Sequence, residues 1–292
     1  MQFRPRRSAL YMPASNARAL EKARTLTADM LILDLEDSVA PEAKAAAREQ
    51  AVAAAQSGGY GGREVVIRIN GLDTPWGTDD AAAAISAAPD GILVPKISTP
   101  DDVRRATSLL AGSSERARLW LMMETPLAIL NARDIAALAR DPLSRLAGFV
   151  MGTNDLAKET RAELDADRTA ALYWLSAAIT AARAYGLDVL DGVYNNFRDL
   201  DGFRRECEAG RRLGMDGKTL IHPDQLAIAN EVFAPSPAEV AWARKIIAAF
   251  ELPENKGKGA ITLEGRMVEL LHADTARRTV AIADGIERQG RP

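Results

Sequence analysis

The chain has 292 residues, 47% hydrophobic and 26% charged, with 37 basic against 40 acidic side chains and a net charge of −3. This is the balance of a folded globule, and with no basic block it argues against nucleic-acid binding, which needs many phosphate contacts. The lone Cys207 excludes an internal disulfide and a zinc cluster, and no apolar run suits a membrane span or signal peptide, so a cytoplasmic protein without membrane partners is expected.

In chain order, short apolar runs stand at 8–12, 29–35, 64–70, 91–96, 118–124, 148–152, 187–192 and 217–222. Most lack strict alternation, as parallel strands covered on both faces do. Ala-rich stretches between them, such as PEAKAAAREQAVAAAQ and residues 167–185, read as helices. Successive runs end about 23–40 residues apart, one βα unit each. Eight such units predict a (β/α)8 TIM barrel; an open doubly wound sheet competes, but no GxGxxG turn supports it. After His222 the pattern changes. Ser236 can cap a helix with Pro237 in its first turn, running to about Leu252. PENKGKGAITLEG follows, polar and Gly-rich, and RMVELLHADTARRTVAIADGI then shows helical periodicity. The expected organisation is a barrel over 1–234 and a C-terminal helical extension over 235–292. The extension reads as a lid or subunit-docking arm, with Lys256–Gly259 as hinge or plain linker.

In a (β/α)8 barrel the chemistry lies at the C-terminal strand ends. Those ends carry Asp34-Leu35-Glu36-Asp37, Arg68, Lys96, Glu124, Gly152-Thr153-Asn154-Asp155, Asp191 and His222. Several carboxylates and few nitrogen ligands suit Mg2+ or Mn2+, and Mg2+ takes only one or two protein carboxylates. Glu124 and Asp155 are the expected metal pair, against a structural ion pair for Glu124. Arg68 could bind a substrate carboxylate or developing oxyanion, or neutralise Glu36 or Asp37. Gly152, Thr153 and Asn154 can turn backbone N–H groups toward a substrate carboxylate. Lys96 raises a Schiff base, although ion pairing with the nearby carboxylates competes. His222 reads as a structural hydrogen-bonding residue and Cys207 as inert. Arg18, Lys22 and Arg24 make a weak basic stripe on the first helix, or an ordinary solvated face.

RSALYMPASN, LILDLEDSVAPEAK, VVIRING, ILVPKI, LMMETPLAILN, GFVMGTNDLAKE and GKTLIHPDQ together resemble the HpcH/HpaI aldolase superfamily, in its citrate lyase β-subunit-like and malyl-CoA lyase branch. The resemblance implies a (β/α)8 barrel, a Mg2+-dependent carbon–carbon lyase and a homotrimer or hexamer. It implies Glu124 and Asp155 as metal ligands, Arg68 on substrate oxygens, and Glu36 and Asp37 around the metal-bound waters and substrate. The expected reaction is reversible cleavage of a 3-hydroxyacyl-CoA thioester to an acyl-CoA and a 2-oxo acid. The alternatives are a malyl-CoA thioesterase or a citrate lyase β-like component acting on an acyl-carrier thioester. One departure stands out. Where the CoA lyases carry an aspartate in a GxMID-like stretch, this chain has Gly265-Arg266-Met267-Val268-Glu269. By that correspondence Glu269 is the expected acid/base, reaching a neighbouring subunit's site, with an exposed helix carboxylate as the alternative.

Overall fold

The computed structural model describes residues 3–110 and 112–289. Eight parallel strands close into a barrel: β1 (Ser8–Pro13), β2 (Met30–Asp34), β3 (Glu64–Arg68), β4 (Gly91–Val94), β5 (Arg118–Met123), β6 (Leu146–Met151), β7 (Asp188–Asp191) and β8 (Gly217–Leu220). The last strand returns to the first, Ser8 opposite Lys218 and Leu10 opposite Leu220. Gly217 makes that seam possible, since a Cβ there would lie 1.8 Å from the Arg6 carbonyl oxygen. The open sheet is thereby excluded. Most strands are shorter than the apolar runs suggested, so Lys96, Glu124 and Gly152 lie just past the last paired residues.

Alternation decides what each strand presents to the barrel axis. Ala9, Met30, Ile32, Val66, Leu93, Trp120, Met122, Val150 and Leu190 form the inner layer, while their neighbours pack outward against the helices. Trp120 fits inside because Gly148 beside it has no side chain; a Cβ there would stand 2.6 Å from the indole. At the N-terminal mouth the Arg6 guanidinium lies 4.9 Å from the Trp120 ring centroid and pairs with Glu64 at 2.8 Å and Asp188 at 2.5 Å. That mouth is plugged. At the other end the same inward parity brings up Asp34, Arg68 and Glu124.

By contacts the chain divides into Arg6–Phe233 and a second unit made of Met1–Pro5 with Ala234–Pro292. The sequence boundary at 234/235 had left the N-terminal residues with the barrel. Phe3 and Pro5 instead pack against the last helix at Gly285, with Arg278 over the Phe3 ring. In the second unit, the helix Pro237–Glu251 opens on the expected cap: Ser236 and Glu239 exchange side-chain-to-backbone hydrogen bonds, and Pro237 sits in the first turn. The next stretch departs from expectation. Residues read as a polar linker and the start of a helix form an antiparallel hairpin, β9 (Ala260–Leu263) and β10 (Arg266–Glu269). The final helix begins only at Leu270 and runs to Gln289. Glu264 and Gly265 both take positive φ, the requirement of a two-residue hairpin turn. Ile261 and Val268 face the helices and pack with Ala243, Ile246, Ala273 and Ala276. Among the described residues no helix is long and apolar enough to cross a membrane.

Candidate active site

A cleft of about 300 Å3 opens at the C-terminal ends of the barrel strands. Its wall includes Asp37, Arg68, Glu124, Gly152, Thr153, Asn154 and Asp155, so most of the expected residues converge there. Glu36 is not among the wall residues; its carboxylate meets Arg68 Nη1. Glu269 ends β10 in the other unit, half-buried, its backbone N–H donating to His272 Nδ1 at 2.9 Å.

Asp34 was given no role from sequence, yet it anchors the site. Asp34 and Arg68 are register partners on β2 and β3, both facing inward. Arg68 Nε and Nη2 donate to the two Asp34 oxygens at 2.7 Å each, a bidentate fork buried at both ends. Burial alone would raise the Asp34 pKa, but the guanidinium outweighs it and holds the carboxyl below the ordinary range. The shared inward parity of Asp34 and Arg68 narrows the choice of partner, and the register of β2 on β3 then fixes it. The Tyr11 ring, also absent from the sequence expectations, lies 4.7 Å from the guanidinium carbon. With two nitrogens committed, Arg68 keeps Nη1 beside the cleft, where Glu36 Oε2 approaches to 2.8 Å and Asp37 to 3.5 Å. The neutralising alternative for Arg68 is thus realised chiefly by Asp34.

The loop bearing Glu36 and Asp37 is held from beneath. Lys44, a buried lysine, donates to the Leu35 and Glu36 carbonyls at 2.9 and 3.0 Å, and Asn70 donates to Leu35 at 2.8 Å. Glu36 Oε2 has a charge contact with Arg68 but no hydrogen bond. Burial, more than Arg68 can offset, pushes its pKa up to about 8, with Glu124 and Asp37 adding to the rise. Between the ordinary carboxylate range and that value the folded chain keeps a proton the unfolded chain releases, so raising the pH across the window costs stability. In chelator, wild-type denaturation midpoints are therefore expected to fall from pH 5.5 to 8.5. Glu36→Gln is expected to flatten part of that fall and to gain on the order of 1 kcal/mol over wild type at pH 8.5. Identical pH slopes for the two proteins would contradict this.

Glu124 is fully buried. Its Oε1 accepts the Lys96 backbone N–H at 2.7 Å, while its Oε2 has no hydrogen-bond partner. Burial raises its pKa, against the opposing charge of Lys96. Gly152 must be glycine here, because a Cβ would stand 2.3 Å from Glu124 Cβ. Asp155 lies in the first turn of the helix Thr153–Thr160, whose N-cap is Gly152. The Gly152 N–H is bonded to the Met123 carbonyl, which leaves the expected backbone donors to Thr153 and Asn154. Asn154 and Asn195 exchange side-chain hydrogen bonds of 3.1 and 2.9 Å across the rim. The Lys96 ammonium stands 2.9 Å from Asp155 Oδ1 and 3.5 Å from Glu124 Oε1. The ion pair expected of Lys96 is present, and it shows the two carboxylates converging on one cation.

No cluster of three or more His, Cys, Asp or Glu side chains able to hold a metal occurs among the described residues. The donor set is a pair of carboxylates, one with an orphaned buried oxygen. That fits Mg2+, which keeps its remaining positions for water and substrate. Asp191 is not a rim residue: it faces the helices, fully buried, between Arg168 at 2.7 Å and Lys218 at 3.2 Å. Cys207 is buried in the same layer and its thiol is pushed up to about 12, as an inert cysteine should be. His222 caps the turn at Pro223, its Nδ1 accepting from the Asp224 N–H at 3.3 Å. Arg24 is engaged with Ser57 at 2.7 Å and Glu21 at 3.3 Å, which breaks up the basic stripe of the first helix.

Residues 7–223 match the model of the HpcH/HpaI aldolase/citrate lyase family. A (3S)-malyl-CoA thioesterase of Cereibacter sphaeroides is 50% identical over 289 residues, covering 99% of this chain and 98% of its own. An L-malyl-CoA/β-methylmalyl-CoA lyase of the same species is 34% identical, covering 97% and 96%. Among solved structures, the CitE protein of Mycobacterium tuberculosis in complex with magnesium, acetoacetate and coenzyme A has a TM-score of 0.71 at 29% identity, covering 94% of this chain and 97% of its own.

Proposed function

The chain belongs to the HpcH/HpaI aldolase/citrate lyase family, and from that premise we propose that it hydrolyses a malyl-CoA-type thioester to malate and free coenzyme A. The observation that carries this reading is the end-to-end identity of 50% with (3S)-malyl-CoA thioesterases, against 34% with the lyase. The expectation of carbon–carbon cleavage therefore gives way to the alternative stated beside it. The lyase reaction remains a second reading, favoured by the lower-identity relative.

Glu124 and Asp155 would hold Mg2+ or Mn2+, as the magnesium-containing CitE relative and the converging carboxylates suggest. A bound divalent ion supplies Lewis-acid polarisation of a substrate oxygen. Arg68, locked by Asp34, offers Nη1 to the substrate carboxylate or to the oxygen where negative charge develops. The N–H groups of Thr153 and Asn154, at a helix N-terminus, favour the same anion. Asp37 borders the cleft that would receive the substrate and the attacking water, and Glu36 lies against Arg68 Nη1. In hydrolysis, water oxygen adds to the thioester carbon and the carbon–sulfur bond breaks. The sulfur departs as the coenzyme A thiol with one water proton, and the other water proton is released from the new carboxylic acid. In the lyase reading, Glu269 of a neighbouring copy in a trimer or hexamer protonates the enolate carbon after a 2-oxo acid leaves. Cytoplasmic residence goes with either reading.

Malyl-CoA incubated with metal-stripped protein, with and without Mg2+, distinguishes them by mass spectrometry. Free coenzyme A and malate in equal amounts, only with Mg2+, are expected. Acetyl-CoA with glyoxylate would instead establish cleavage, and neither product pair would defeat both readings.

A further inference from the structure

Lys96 leaves the barrel with φ +56°, in the left-handed region that non-glycine residues rarely adopt. This backbone turn makes two separate contacts with one neighbour. The Lys96 N–H is bound to Glu124 Oε1, and the side chain returns to place Nζ between Glu124 and Asp155. The ammonium satisfies this pair incompletely: it lies at hydrogen-bonding distance from Asp155 but 3.5 Å from Glu124 Oε1, and Glu124 Oε2 remains unpartnered. The two partners also differ in burial, since Lys96 is 40% exposed at its side chain and Glu124 not at all.

We propose that Lys96 is a tethered monovalent cation that occupies the metal position between Glu124 and Asp155 and yields it only to a divalent ion. The inference rests on the metal-binding reading above and adds to it a device for selectivity. One ammonium carries a single charge and three donors in a compact head. A divalent ion brings twice the charge and about six coordination positions, so it can engage the orphaned Oε2 as well. The backbone hydrogen bond from Lys96 to Glu124 does not depend on Nζ, so the carboxylate stays aimed while the side chain moves out to solvent. A free monovalent ion gains too little to displace an ammonium already held by its own chain. The competing role is that of a permanent strut, with Nζ remaining on Asp155 in the loaded protein.

Isothermal titration of metal-stripped protein with MgCl2 separates these roles without any assay of turnover. Lys96→Met is expected to bind Mg2+ about tenfold more tightly than wild type, a gain of about 1.4 kcal/mol. The same variant is expected to melt lower when stripped and to gain more in Tm on saturation with Mg2+. Lys96→Gly, which also suits the positive φ, gives the same comparison if the methionine variant folds poorly. Unchanged or weakened Mg2+ binding in both variants would overturn the proposal in favour of the strut. Undiminished Mg2+ binding by Glu124→Gln is a different failure, because it removes the metal-binding reading and this inference with it.

Discussion

Glu124→Gln is expected to lower Mg2+-dependent turnover by about a thousandfold or more, the equivalent of losing roughly 4 kcal/mol of transition-state stabilisation. The amide keeps the shape of the side chain and can still accept the Lys96 N–H, so the local backbone has no reason to move. What disappears is the charge. Burying that carboxylate is costly, as its raised pKa indicates, and its Oε2 gains no hydrogen bond in return. The variant should therefore fold as well as wild type, or melt slightly higher when no metal is present. Steady-state rates across a Mg2+ titration, with thermal melts of the stripped proteins, check both halves. Turnover within tenfold of wild type at the same Mg2+ requirement would remove Glu124 from the metal site.

The largest effect on stability is expected at Arg68. Arg68→Met strands Asp34, a carboxylate only 1% exposed, and should cost about 3–5 kcal/mol, as breaking one partner of a buried pair does. Activity should vanish with it. The double variant Arg68→Met with Asp34→Leu no longer carries the unpaired charge and should recover much of the stability, because apolar replacement of a whole buried pair is often tolerated. It should recover none of the activity. Urea unfolding of the two single variants and the double gives the coupling between them. A double variant no more stable than Arg68→Met would show that the Glu36 and Ser38 N–H groups, which also donate to Asp34 at 2.9 and 3.2 Å, depend on its carboxylate as much as the stranded charge costs.

The barrel was legible because each buried strand wrote an apolar run of its own and the intervals between runs left room for one helix. The site was legible because its polar residues closed those runs. Asp34 also closed one, but a run ending in three acidic residues out of four did not show which carboxylate met the guanidinium. That depends on which face of the strand each residue takes and on the register between β2 and β3, and register is a property of pairing. Glu124 and Lys96 illustrate a second limit. Both were recognisable as charged residues in a carboxylate-rich rim, but the convergence of Nζ on two carboxylates requires the positive φ of Lys96, which no residue type announces. The hairpin is hidden in the sequence for a different reason. Its apolar positions at Ile261 and Val268 are too few to show a period of two, and the following helix lent its periodicity to the second strand. The Glu264-Gly265 turn was the available signal.

The seam between β1 and β8 has a consequence for biosynthesis. It joins the beginning of the barrel sequence to a segment more than 200 residues later, with Ser8 opposite Lys218, and the plug at the N-terminal mouth joins Arg6 to Asp188. No nascent chain shorter than that can seal its inner layer. At roughly 5–20 residues per second, translation leaves β1 waiting on the order of 10–40 s for β8. Through that interval β2 can pair with β1 and β3, but the outer edge of β1 and the apolar inner face stay open, the kind of surface that makes a growing chain prone to aggregate.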